Sequence, residues 1–529
     1  MPKYVTPREA VSCIKSGDTV GICAFLTLVN PVQLLTALAN RVQAQGNPKD
    51  LTIFCAAGFG TWEENSPCEA IVRVDAVKSM VLGHFSSLPE TCRRIMDNRM
   101  EGYNLPFGVM SHMLRAAASG MPCYVTKVGR NLFVDPRIGG SKLNRISKED
   151  WVGDVQIDGQ RYLTYKTPKL DVALIKATSV DNYGNITFEK EPIEPDALSM
   201  AQATRANGGK VIVQVEKRTT EKHRPWNVIL PGALVDYVCI CPYQNQILGV
   251  EGYDPTFSGD LFVEPEKIAD WVRERYSGGG SIAKKLIAKR AAKELRPGQL
   301  VNIGVGIPEG VGEVAAASGL LPKLTLTVES GAFGGMPAPG IAFGSSVGAQ
   351  CICSTAQIFD FYDGGCLDIC FTGALEIDRF GNVNGHYSPT KLAGIGGFAN
   401  ITQNTKKVVF CGSFSSGGLK VRPTGENSIQ IVEEGRYMKF VPAVSAVSFS
   451  AQNAHESGQE VLYVTERCVF RLGSEGLELI EVSDGVVLEK DVLETLPFPV
   501  KICLWPAPAV QDARRVHRAL RPYKKNDLQ

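Results

Sequence analysis

A repeat inside the chain constrains its fold more than any other feature. Leu170-Asp-Val-Ala-Leu-Ile through Asp181-Asn-Tyr-Gly-Asn-Ile-Thr is answered by Leu367-Asp-Ile-Cys-Phe-Thr through Asp378-Arg-Phe-Gly-Asn-Val-Asn, at a constant offset of 197 positions. Gly209-Lys-Val-Ile-Val213 and Lys406-Lys-Val-Val-Phe410 keep the same offset. Upstream, Ser16-Gly-Asp-Thr-Val20 answers Pro297-Gly-Gln-Leu-Val301, and Leu51 to Gly58 answers Leu324 to Gly331, at larger offsets of 281 and 273. The first copy therefore holds extra residues between its early and late blocks. Two copies of one supersecondary pattern in one chain predict two similar domains packed as a pseudo-dimer.

Each copy reads as α/β. Apolar, β-branched runs at 51–55, 172–175, 210–213, 324–328 and 407–410 have the length and composition of buried strands. Amphipathic patterns such as 31–42 and 310–318 lie between such runs and predict helices. That alternation favours a largely parallel sheet in each half. A charged stretch from Glu264 to Arg275 leads into Ser277-Gly-Gly-Gly-Ser281, which reads as a linker, with a new helix expected near Ile282. The expected organisation is an N-terminal half at 1–270, a linker at 271–281 and a C-terminal half at 282–529.

Composition narrows the function classes. A net charge of +1 on 529 residues gives no electrostatic case for nucleic acid or an anionic membrane. No apolar run reaches 18 residues, and the stretch Met1 to Ala10 lacks a signal-peptide core, so the expected setting is the cytoplasm. The 15 cysteines are scattered, many within apolar runs, as expected of buried reduced thiols. The pairs Cys239/Cys241 and Cys351/Cys353 lack zinc-finger spacing, and the six histidines form no HExxH-type pair, so no metal site is expected.

The repeat singles out one side chain. At the ends of matching strands the first copy has Ala56 and the second has Glu329. Ligands of open α/β sheets bind beyond the carboxyl ends of the strands. A carboxylate present in one copy only is what a single catalytic centre per pair requires. The ordinary alternative is a solvated loop glutamate. Against it stands the glycine-rich continuation Ser330-Gly-Ala-Phe-Gly-Gly-Met-Pro-Ala-Pro-Gly340, which allows close backbone approach to a ligand.

At Val328-Glu-Ser-Gly331 the chain resembles the family I coenzyme A transferases in their fused form, with both halves in one polypeptide. The resemblance runs through Asn104-Leu-Pro106, Gly184-Asn-Ile-Thr187 and Pro231-Gly232 in the first copy. In the second it includes Gly304-Val-Gly306-Ile-Pro308, Gly381-Asn-Val-Asn384, Gly394-Ile-Gly-Gly-Phe398, Gly417-Gly418 and Thr465-Glu-Arg467. It is strongest toward the acetate, propionate and 3-oxoacid group.

The resemblance implies that Glu329 becomes a glutamyl-CoA thioester. It implies that Gly396 and Gly397 lie against CoA and donate backbone N–H groups to the thioester oxygen, with Gly394 and Phe398 flanking them. Asn384 would face the same pocket, and Gly304, Gly306, Gly331 and Phe107 would form its walls. For Gly396, Gly397 and Asn384 the ordinary alternatives are a plain turn and an Asx turn. Related sequences carry Gln where this chain has Phe107, which would replace a polar contact by apolar area. The early glycines near Cys23 to Asn30 are also depleted.

The chemistry suits the residue. A thiol is a good leaving group, and a carboxylate with an ordinary pKa of about 4.3 is ionised at neutral pH. Glu329 could then attack an acyl-CoA without a general base. No metal, ATP or redox cofactor is called for, CoA itself being a substrate. The expected partners are acyl-CoA, short-chain carboxylic acids and further copies of the chain. Two other readings stay open. One is an acyl-CoA thioesterase using the same glutamate. The other is a non-catalytic ligand sensor on a sugar-phosphate isomerase-like scaffold. His112 and His386 are read as pocket-wall or core residues.

Overall fold

Runs of β-branched residues set the centre of each half. The strand Val172–Val180 is buried along its whole length. Its one charged residue, Lys176, is neutralised by Glu191 at 2.6 Å. A central strand of a covered parallel sheet reads this way, apolar on both faces. The computed structural model describes residues 1–276, 281–388, 390–425 and 428–504.

The first half is built on a sheet in which Tyr237–Ile240, Lys210–Arg218, Val172–Val180, Thr19–Cys23 and Leu51–Cys55 lie side by side, all parallel. The second repeats that order with Glu460–Val464, Lys407–Cys411, Ile369–Gly373, Leu300–Ile303 and Thr325–Thr327, again all parallel. The repeat holds at atomic detail. Asp181 accepts from the backbone of Tyr183 and Asn185, both at 2.9 Å, and Asp378 accepts from Phe380 and Asn382 at 3.0 Å. Asp171 and Asp368 each receive the first N–H of the neighbouring strand, from Thr19 at 2.8 Å and Leu300 at 2.9 Å.

The halves part beyond that core. The first sheet continues with Val77–Leu82 and Glu101–Asn104, both parallel. A separate antiparallel sheet of Cys123–Thr126, Val152–Ile157 and Gln160–Lys166 follows in the chain. These are the extra residues that shift the offset. In the second half the corresponding edge is short and antiparallel, through Ala332–Phe333 and Cys351–Ile352. The opposite edge gains Cys468–Gly473 and Gly476–Val482.

The helices fall between strands, as Val32–Gln45 and Glu309–Ala317. The segment read as a linker begins inside a helix, Pro265–Tyr276, and the residues 277–280 lie outside the described residues. Ser281 caps the helix Ile282–Ala291 by accepting from Lys284 N–H. The C-terminal stretch 505–529 of the second half also lies outside the described residues.

One apolar core runs through both halves, and Phe25, Phe107, Phe359 and Tyr362 belong to it. Eight of the fifteen cysteines are buried, but Cys351 and Cys366 are exposed, because Cys351 stands on the short edge strand. Among the described residues no helix is long and apolar enough to cross a membrane.

Candidate active site

The strand Thr325–Thr327 ends in a tight turn, with Gly331 N–H donating to the Val328 carbonyl at 2.9 Å. Glu329 is the next residue after Val328 and projects from this turn. Gly331 has φ +120°, and a Cβ there would meet the Cys353 carbonyl at 2.0 Å. Its counterpart Gly58 has φ +134°, and a Cβ there would meet the His84 carbonyl at 2.5 Å. The turn is thus built twice, and only the second carries a carboxylate.

Glu329 lies on the wall of a cavity of about 830 Å³ bounded by both halves. The first half supplies Phe25, Ala57, Trp62, His84 and Phe107. The second supplies Gly304, Leu375, Gly397, Phe398 and Lys439. Few polar groups face this space, and burial pushes the Glu329 carboxyl up to about 7, with the Gly397 N–H pulling the other way. The sequence-based expectation of an ordinary, fully ionised side chain is corrected: burial raises the carboxyl toward neutrality, so its protonated form competes with the charged one.

The glycine loop meets Glu329 directly. A Cβ on Gly397 would fall 1.9 Å from Glu329 Oε2, so only glycine admits the carboxylate here. Gly396 plays a different part from the expected one. Its N–H donates to the Gly83 carbonyl at 2.8 Å, and its own carbonyl accepts from Phe107 N–H at 2.9 Å. It therefore ties the loop to the first half, and Gly397 is left as the donor that faces the Glu329 carboxylate. Gly394, at φ +84°, packs against residues 83–85, where a Cβ would lie 2.8 Å from the Gly83 carbonyl.

Asn104 completes the clamp. Its amide nitrogen donates to the carbonyls of Leu82 and Gly83, both at 2.8 Å, and its oxygen accepts from Ile395 N–H at 2.9 Å. Sequence reasoning quoted Asn104-Leu-Pro106 without assigning it a role. The Asn-Leu-Pro run that closes the strand Glu101–Asn104 was the signal available.

The remaining expected positions divide. Phe398 and Gly304 line the cavity. Gly306 sits on the exposed outer side of its turn, and Val305 and Ile307 line the cavity beside it. Gly331 serves close packing on Cys353, as above. Asn384 does not face the cavity. It is fully buried, and its amide donates to Glu376 at 2.8 Å and the Tyr387 carbonyl at 2.6 Å. Its neighbour Gly385 lines the wall instead.

Phe107 is buried at the start of the helix Phe107–Ala118, edge-on to Phe359 at 4.8 Å and 5.7 Å from Phe25. It contributes aromatic surface to the cavity wall. His386 is a core residue bonded to Ser448 at 2.6 Å, and burial lowers its pKa to about 3. Burial likewise lowers His112 to about 4, beside Asp360 and Asp363 and away from the cavity lining.

A family model described as coenzyme A transferase matches residues 4–240 and 284–412. The chain is similar to the acetate CoA-transferase YdiF of Escherichia coli strain K12, 38% identical over 494 residues, which cover 93% of this chain and 90% of the relative. It is equally similar to the caffeate CoA-transferase of Acetobacterium woodii, 38% identical over 94% of each chain. A crystal structure of the acyl-CoA transferase YdiF from Escherichia coli O157:H7, as a thioester complex with CoA, superposes with a TM-score of 0.87 at 35% identity, covering 95% of this chain and 94% of that one.

Proposed function

The chain belongs to the coenzyme A transferase family, and from that premise we propose that it passes CoA from a short-chain acyl-CoA to a free carboxylic acid through a covalent thioester on Glu329. The observation that carries the proposal is the Glu329 carboxylate held against the Gly397 N–H on a largely apolar wall between the halves.

The steps balance without a proton shuttle. The ionised Glu329 carboxylate attacks the thioester carbonyl, a C–O bond forms and the C–S bond breaks. The products are an acyl-glutamyl anhydride and CoA thiolate. The thiolate attacks the Glu329 carbonyl, a C–S bond forms, and the donor acid leaves as a carboxylate. The acceptor acid then runs the sequence in reverse. One negative charge is passed from carboxylate to thiolate to carboxylate at each turn.

Desolvation makes the Glu329 carboxylate more nucleophilic than an exposed one, at the cost of a smaller ionised fraction. The Gly397 N–H is aimed at the oxygen on which charge develops when the glutamyl carbonyl is attacked, a contact worth about 10² to 10³ in rate. The apolar wall keeps water from the anhydride. Acetate, propionate and 3-oxoacids are the proposed acyl groups, and the thioester complex of YdiF supports a covalent route on this scaffold.

The test is isotope exchange. Incubation with acetyl-CoA and labelled acetate should move label into acetyl-CoA without net loss of thioester. Net hydrolysis without exchange would instead identify a thioesterase. Tight binding of acyl-CoA with neither outcome would identify a sensor.

A further inference from the structure

Lys439 is a part-buried cation whose ammonium has a single hydrogen-bond partner among the described residues. It lies on the cavity wall, and its ammonium donates to the Ala374 carbonyl at 2.9 Å. Among the described residues no carboxylate comes within ion-pair distance of it. Glu466, whose charge reaches it, is already engaged by Phe414 N–H at 2.8 Å and Arg467 Nε at 3.0 Å. Burial lowers the Lys439 pKa, with Glu466 opposing. A part-buried ammonium with one carbonyl for a partner, facing the cavity, is placed to pair with an anion that enters it.

Position narrows the anion. Ala374 follows the strand Ile369–Gly373, and Glu329 follows Thr325–Thr327, with Leu300–Ile303 between them. Two strand spacings separate the two points, about 10 Å. The acceptor carboxylate must touch the Glu329 carbonyl, so it cannot be the partner. The CoA arm between sulfur and diphosphate has the contour of four to five extended residues, about 15 Å. That arm spans the gap with room to bend.

We propose that Lys439 binds a phosphate of the diphosphate that joins pantetheine to adenosine, and so anchors the far end of CoA. The assignment rests on the CoA-transfer reading of the site. Its consequence is that binding energy gained far from the reacting bond is held by one side chain of the second half.

The experiment compares acetyl-CoA with acetyl-pantetheine, which carries no phosphate, in wild type, Lys439→Met and Lys439→Gln. For acetyl-CoA, kcat/KM should fall roughly ten- to hundredfold in both variants, mainly through KM. For acetyl-pantetheine it should stay at the wild-type value, which also reports an intact fold. An equal loss with both thioesters in both variants, or no loss with either, overturns the assignment. If wild type transfers no CoA, the reading of the reaction fails. Equilibrium binding of CoA and of pantetheine then decides Lys439 alone. Weaker binding of CoA only supports it, and unchanged CoA binding in both variants overturns it.

Discussion

Replacing Glu329 by Gln should stabilise the protein while abolishing its chemistry, and the gain should depend on pH. The folded carboxyl titrates at about 7 against an ordinary value of 4.5. Below the unfolded pKa both states are protonated and the group contributes nothing. Between the two values the folded state holds a proton that the unfolded state releases, so stability falls as pH rises. Above the folded pKa the full cost of the buried charge is present, roughly 3 kcal/mol. Gln carries no such charge at any pH.

Urea unfolding of the two proteins at about pH 5 and about pH 8.5 measures the effect. The advantage of Gln should grow by ~2 kcal/mol between the two conditions. A variant whose stability runs parallel to wild type across that range would refute the reasoning, because it would show the carboxylate to be hydrated.

Other expectations rest on single contacts. The same ionisation predicts that kcat/KM for acetyl-CoA rises with pH and levels off above about 7, and a flat profile from pH 5 upward would contradict it. Gly397→Ala places a methyl 1.9 Å from Glu329 Oε2 and should slow turnover by about 10² to 10³ with little change in circular dichroism or melting. Asn104→Ala removes the partner of Ile395 N–H and of the Leu82 and Gly83 carbonyls, and should cost ~2 kcal/mol in denaturant unfolding together with activity. Phe107→Gln exchanges packing against Phe25 and Phe359 for an amide. It should cost roughly 2–3 kcal/mol of stability and raise kcat/KM for acetoacetyl-CoA relative to butyryl-CoA.

The fold was legible in the sequence because duplication writes it twice. The five-strand order common to both halves follows blocks such as 170–175 and 367–372, whose apolar runs report burial directly. Glu329 was legible for the same reason, as the residue in which matched turns differ. The roles of individual glycines were not. Gly396 and Gly397 are adjacent, yet one bonds to Gly83 and the other faces the carboxylate, a difference set by contacts across the halves. Asn384 was misplaced because an Asn after a turn can point either way, and here Glu376 and the Tyr387 carbonyl hold it in the core. The raised pKa of Glu329 depends on how much protein surrounds the carboxylate, which no local motif records. Lys439 belongs to none of the repeated blocks, and only its place on the cavity wall brings it to notice.

The most direct measurement is the mass of the peptide that contains Glu329 after incubation with acetyl-CoA and reduction with borohydride. The covalent route predicts that Glu329 alone exchanges its carboxyl for a primary alcohol, and only when acyl-CoA was present. An unmodified Glu329 in a sample that demonstrably exchanges label between acid and thioester would contradict the account.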